Sequence, residues 1–323
     1  MLQVDTLRLP FSDPDQTLDC QPRADVGLRD LETLWFNTGT LCNIECVNCY
    51  IYSSPTNDSL VYLTPADITP ILDEIPQLGY ATREIAFTGG EPFMNPDMAT
   101  MADLCLARGY KVLILTNAMQ PMQRPRVKQA LLRMRAAHGD RLHLRISIDH
   151  HSPRLHDEER GAGSFARTLD GLRWLVANGF ALSLAGRTRW DDDMAALRAG
   201  YARLFAEQGI PLDAQNPADL VLFPEMDAAA PVPEITTACW DILGVAPAAM
   251  MCASSRMVVR NKGADHVSVL PCTLLPNDRG FEMGATLAGA AVADGGNFRA
   301  GRVKLNHPHC AKFCVLGGGS CTG

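Results

Sequence analysis

From Leu31 onward, short apolar runs alternate with stretches of helical periodicity. LETLWF at Leu31–Phe36, REIAF at Arg83–Phe87 and KVLIL at Lys111–Leu115 read as strands, each bounded by turn residues. RLHLRISID at 141–149, Phe180–Leu184 and Leu220–Phe223 continue the series. Between them, Thr64-Pro65-Ala66-Asp67 opens a helix with an N-cap hydroxyl, a proline in the first turn and a carboxylate three residues on. Ile68, Ile71, Leu72 and Ile75 give it one apolar face, and Pro70 and Pro76 are expected to kink or shorten it. Met98, Met101, Leu104 and Cys105 mark a second helix that Gly109 ends. Further helices are expected near 125–137, from Ser164 with Phe165, Leu169, Leu172, Leu175 and Val176 on one face, and over about 192–207. This β-α alternation predicts an α/β fold with a parallel sheet, and about six repeats suggest a partial (β/α)6 barrel. Such folds gather ligand groups at the C-terminal ends of their strands.

The chain of 323 residues is long enough for one barrel-type domain with a small appendage, and its 47% hydrophobic content supplies a sizeable core. A net charge of −7, with no basic run, gives no sign of a nucleic-acid surface. No apolar run reaches a membrane span, and the first residues lack the apolar core of a signal peptide. A soluble, cytoplasmic protein is the expectation. Eleven cysteines then call for metal or redox chemistry, because disulfides are rare in a reducing cytosol. Cys20, Cys105 and Cys239 stand alone and read as small apolar residues.

The grouped cysteines begin with Cys42, Cys46 and Cys49, spaced C-x3-C-x2-C in the long loop after the first strand. A structural zinc site wants four ligands in closed geometry. Three thiolates on one loop instead leave a metal centre one ligand short, either a zinc knuckle completed from elsewhere or an iron–sulfur cluster with one open iron. Gly89-Gly90-Glu91-Pro92 closes the second strand, Thr116-Asn117-Ala118 follows the third and Ser147-Ile148-Asp149 ends the fourth. All can converge on one barrel mouth. Taken singly, each also reads as an ordinary polar turn.

Together these segments resemble the radical S-adenosylmethionine (SAM) enzymes, whose fold is a partial TIM-like barrel. The resemblance implies a 4Fe-4S cluster on Cys42, Cys46 and Cys49, with SAM bound at its open iron. Gly89, Gly90 and Glu91 are then expected to receive the SAM amino group, and Ser147 and Asp149 the ribose. Asn117 matches a Thr-Asn-Gly segment, with Ala118 in the glycine's place. Arg187, just past the fifth strand, suits the SAM carboxylate, or is simply solvated. Asn48 stands where the family usually has an aromatic residue; the adenine contact expected there runs through its backbone. The segment His156-Asp157-x-x-Arg160-Gly161-x-Gly163-Ser164-Phe165 is also similar to the family's, and a turn-and-cap role is enough to explain it.

Beyond residue 233 the alternation stops. Cys252 and Cys272 bracket two β-like runs around a Lys262-Gly263 turn, and Cys310, Cys314 and Cys321 follow. This resembles the twitch or SPASM extension of radical SAM enzymes, which holds auxiliary clusters. A full SPASM module uses seven cysteines; five here imply one auxiliary 4Fe-4S cluster, on Cys252, Cys272, Cys310 and Cys314, with Cys321 a substitute or a fifth thiol. A zinc ribbon is the other reading. His307 and His309 flank Pro308 and read as loop residues. The expected organisation is a lead-in at 1–30, a barrel at 31–233 and a cysteine-rich cluster-binding domain at 234–323. The implied activity is reductive SAM cleavage and hydrogen abstraction from a ribosomal peptide or a small metabolite. An external one-electron donor such as flavodoxin or ferredoxin is implied too. The contrasting class is a zinc-stabilised barrel serving as a binding or scaffold protein.

Overall fold

The computed structural model describes residues 9–190, 193–225 and 231–318. Its strands are β1 (Asp25–Val26), β2 (Thr33–Asn37), β3 (Glu84–Thr88), β4 (Lys111–Thr116), β5 (Leu142–Ser147), β6 (Ala181–Arg187), β7 (Leu220–Phe223), β8 (Ser255–Val259), β9 (Ser268–Leu270), β10 (Phe298–Arg299) and β11 (Arg302–Lys304). The first helices are α1 (Pro65–Gln77), α2 (Met98–Ala107), α3 (Gln120–Gln123), α4 (Pro125–His138), α5 (Pro153–Arg160), α6 (Ser164–Ala177) and α7 (Met194–Gln208).

The main sheet runs β7-β6-β5-β4-β3-β2-β8-β9. Strands β2 to β7 lie side by side in sequence order, each parallel to the next. That is the expected partial (β/α)6 barrel. Every residue of β2 is buried, as a parallel strand covered on both faces must be. Helix α1 has the anticipated capping box, with the Thr64 hydroxyl accepting from the Asp67 N–H and the Asp67 carboxylate accepting from the Thr64 N–H. The prolines do not shorten it: it continues past Pro70, and Pro76 falls in its last turn. Burial of Ile68, Ile71, Leu72 and Ile75 outweighs the lost backbone bonds.

The cysteine-bracketed hairpin forms with Met257 opposite Leu270. It is not a separate layer: β8 pairs in parallel with β2, Thr33 opposite Ser255, and so extends the barrel sheet beside the strand that precedes the cysteine loop. The lead-in is tied to the same half of the molecule. β1 pairs with β11, and Arg23 meets Glu234 at 2.5 Å with both side chains buried.

Candidate active site

The loops after the barrel strands converge on one cavity of about 170 Å³. Cys42, Cys46, Cys49 and Asn48 line it from the loop after β2, and Gly89 and Gly90 from the end of β3. Thr116, Asn117, Ser147, Asp149 and Arg187 contribute from β4, β5 and β6. Ile51, Phe223, Leu274 and Phe313 add apolar side chains to its lining.

The two glycines let the cysteine loop press onto the end of β3. The Gly90 N–H donates to the Gly39 carbonyl at 2.9 Å, and the Glu91 N–H to that of Leu41 at 3.2 Å. A Cβ on Gly90 would stand 2.3 Å from the Leu41 carbonyl oxygen, so only glycine permits this approach. Gly89 also has φ +136°. The motif therefore sets where the loop bearing Cys42 begins.

Glu91 lies behind the cavity wall. Its carboxylate accepts from the Thr116 hydroxyl (2.8 Å), the Asn117 N–H (2.8 Å) and the Phe93 N–H (3.2 Å). Burial pushes its pKa up to about 7 against those hydrogen bonds. In this geometry it ties the end of β3 to that of β4. Asn117 carries the tie onward, its side-chain amide donating to Asn43 Oδ1 at 2.9 Å, inside the cysteine loop. Glu91→Ala orphans the buried Thr116 and Asn117 donors and should cost about 2–4 kcal/mol of stability. Denaturant unfolding of the metal-free chain measures this, and a change under about 0.5 kcal/mol contradicts the tie.

Asp149 and Arg160 form a bidentate pair at 2.6 and 3.0 Å on the cavity wall. Burial alone would raise the Asp149 pKa, but the Arg160 charge and hydrogen bonds outweigh it and hold the carboxyl low. Burial likewise opposes the Arg160 charge, yet Asp149 and the nearby Cys46 and Cys42 leave its pKa raised. Arg187 faces Glu159 at 2.9 Å and Glu225 at 3.2 Å, so it is an ion-paired residue of the wall. Sequence reasoning missed Glu159 and Arg189 and gave Arg160 only a turn role. Arg189 comes two residues after β6, but Glu159 and Arg160 lie on α5, and nothing local to α5 signals which way its last turn faces. Asp157 does cap α6, accepting from the Phe165 N–H (2.8 Å) and the Ser164 hydroxyl (2.9 Å).

Cys252, Cys272, Cys310 and Cys314 line a second, smaller cavity of about 20 Å³ with His309. Cys310 and Cys314 lie on one short π-helical turn region, Cys310–Leu316. Leu274 borders both cavities, and Phe313, from that turn, closes the first. Burial lowers the His309 pKa, and that of His307 to about 4, so both rings are neutral near pH 7. Cys321 lies outside the described residues. Among the described residues, no three His, Cys, Asp or Glu groups converge as the ligands of a single metal ion do.

Burial pushes the Cys42 and Cys310 thiols up to about 12, and those of Cys46 and Cys252 up to about 11. Near neutrality these sulfurs carry protons that metal binding must displace. Iron loading of the apoprotein should therefore strengthen as pH rises below those values, by about tenfold per pH unit for each proton released. Anaerobic titration at pH 7 and pH 8.5 checks this; pH-independent loading would mean that other groups bind the iron.

Three thiols and a polar cradle thus meet at the strand ends of a partial α/β barrel. Residues 36–188, just under half of the chain, match the family model of the Radical SAM superfamily. Over 160 residues, 48% of this chain, it is 29% identical to the antilisterial bacteriocin subtilosin biosynthesis protein AlbA of Bacillus subtilis, covering 34% of that protein. It is 31% identical over 140 residues, 43% of this chain, to the mycofactocin maturase MftC of Mycobacterium ulcerans, covering 35% of it. The matches thus span about a third of those relatives' length. Among solved structures, Streptococcus suis SuiB bound to S-adenosylmethionine superposes with a TM-score of 0.59 at 12% identity, covering 82% of this chain and 66% of that one. The AdoMet-bound anSMEcpe structure gives 0.57 at 12% identity, covering 81% and 80%. At such identities the structures establish the fold.

Proposed function

We propose that this chain is a radical SAM enzyme that oxidises or cross-links a peptide. The observation that carries this is the single cavity joining Cys42, Cys46 and Cys49 to the glycine, amide and hydroxyl groups at the strand ends. The donor set fits the cofactors: three thiols leave a four-iron cluster one open site, and the cradle beside them offers polar groups to a charged ligand. Cys42, Cys46 and Cys49 would hold the cluster, which when bound and reduced would supply the electron for reductive SAM cleavage and so for hydrogen abstraction from the substrate.

The chain's own residues hold and orient. The Gly89 and Gly90 backbone closes on the cysteine loop and presents carbonyls that suit an ammonium group. Ser147 and Asp149 face the cavity with groups that suit a ribose diol, Asp149 kept anionic by Arg160. The guanidiniums of Arg160 and Arg187, both in the cavity lining, suit a carboxylate. The Asn48 carbonyl, which takes one bond from Arg187 at 3.3 Å, keeps a second lone pair for an adenine amino group. Ile51, Phe223, Leu274 and Phe313 exclude water from the reacting end.

Cys252, Cys272, Cys310 and Cys314 suit the auxiliary cluster, which would receive the substrate's second electron across Leu274 and Phe313. The 20 Å³ void is little more than one water's space, so holding a cluster would require it to widen. That small void is the one observation favouring zinc at this second site. A peptide substrate is supported by the relatives, a subtilosin biosynthesis protein and a mycofactocin maturase, and by the structure of SuiB bound to precursor peptide SuiA. An external one-electron donor of the flavodoxin or ferredoxin type completes the cycle. The test is anaerobic: with SAM and dithionite, the reconstituted protein should release 5'-deoxyadenosine and methionine in equal amounts. Iron-loaded protein that releases neither contradicts the assignment.

A further inference from the structure

The segment between the second and third cysteines rests on one carboxylate. Glu159, in the last turn of α5, has no solvent exposure. Its Oε1 accepts from the Asn48 N–H at 2.8 Å, and its Oε2 from the Asn48 side-chain amide at 2.9 Å. Its own carbonyl accepts from the Val47 N–H at 2.9 Å. From the other side Arg187 Nη1 reaches Oε1 at 2.9 Å, and Arg189 Nη1 bonds Oε2. Arg187 Nη1 also donates to the Asn48 carbonyl at 3.3 Å. Each carboxylate oxygen thus takes one donor from the cysteine loop and one from the end of β6.

We propose that Glu159 is a positioning residue that fixes Cys46 and Cys49 against the end of β6, and so sets the pose in which the cavity receives SAM. The proposal rests on the cluster reading of the three thiols. A fully buried carboxylate is stable only with its charge paired and its lone pairs filled. Two guanidiniums and two amides do both here, so loop and arginines cannot shift independently. Asn48 suits this role where an aromatic side chain would not, because only its amide can fill Oε2 from the loop. At Asn48 the loop is fastened by hydrogen bonds. Arg187, which lines the cavity, is held by the same carboxylate.

Glu159→Gln removes the charge and turns one acceptor into a donor, which then faces both an Asn48 N–H and an arginine. In the anaerobically reconstituted full chain this variant should keep the wild-type iron content, because no thiol is lost. Its SAM dissociation constant should rise about tenfold or more, as for loss of charge-assisted hydrogen bonds. The change that SAM produces in the electron paramagnetic resonance (EPR) spectrum of the reduced protein should shrink. Asn48→Ala should weaken SAM binding less, and the Asn48→Ala, Glu159→Gln pair no more than Glu159→Gln alone. A purely structural residue would lower thermal stability and leave the SAM affinity of the loaded fraction unchanged; that result, or additive losses in the pair, overturns the proposal. If Glu159→Gln does not fold, Asn48→Asp carries the test by setting a second carboxylate against Oε2, and unchanged SAM affinity there overturns it equally. Wild-type protein whose spectrum ignores SAM would instead refute the parent assignment of the three thiols.

Discussion

Alanine at Cys42, Cys46 and Cys49 together should remove about four irons per chain and all 5'-deoxyadenosine formation. The three thiols line one cavity and sit on one loop, whose start is fixed by Gly89 and Gly90. No other described cysteine lines that cavity, so none can substitute. The fold should survive, because the loop keeps anchors that do not use sulfur. The Cys42 N–H bonds the Ser54 carbonyl at 3.0 Å, the Thr40 N–H bonds that of Leu60 at 3.0 Å, and Glu159 holds Asn48. Circular dichroism should be unchanged while the product vanishes. Product formation at the wild-type rate would place SAM cleavage elsewhere.

Removing Cys252 and Cys272 together should have the second largest effect. Intact reconstituted protein should carry about eight irons, and this variant about four. SAM cleavage should persist, because the first cavity keeps its three thiols, but peptide turnover should stop for want of an acceptor for the second electron. The two sites share Leu274 as a wall and are joined by the Cys310–Leu316 turn. That placement suits transfer from a substrate lodged between them. About four irons with one zinc in the intact protein would instead establish a zinc ribbon, in keeping with the 20 Å³ void.

The barrel was legible because its signals are local. Each strand is a short apolar run, and α1 announces itself by Thr64, Pro65 and Asp67 within one turn. The site was legible to the extent that its groups follow strands: thiols, glycines, Asn117, Ser147 and Asp149 all reach the cavity from strand ends. What depends on distant pairing was not. Nothing in the run Ser255–Val259 shows that it will lie parallel to β2, more than 200 positions earlier, and so join the barrel sheet. The lead-in gives no sign that Asp25 will pair with Lys304. In the sequence Glu91 reads as one more polar group beside Gly89 and Gly90, and only the fold shows its carboxylate accepting from Thr116 and Asn117. Glu159 looked like one more charge on a charged helix. Only the fold brings it to Asn48, 111 positions away.

The central claim is that the three-thiol site leaves an iron open to SAM, and hyperfine spectroscopy tests it most directly. Reduced, reconstituted protein is mixed with SAM labelled with ¹⁵N in its amino group and ¹⁷O in its carboxylate. The account predicts coupling of both nuclei to the cluster's electron spin, absent from the variant lacking Cys42, Cys46 and Cys49. A reduced cluster with SAM bound but no coupling from either nucleus would contradict it.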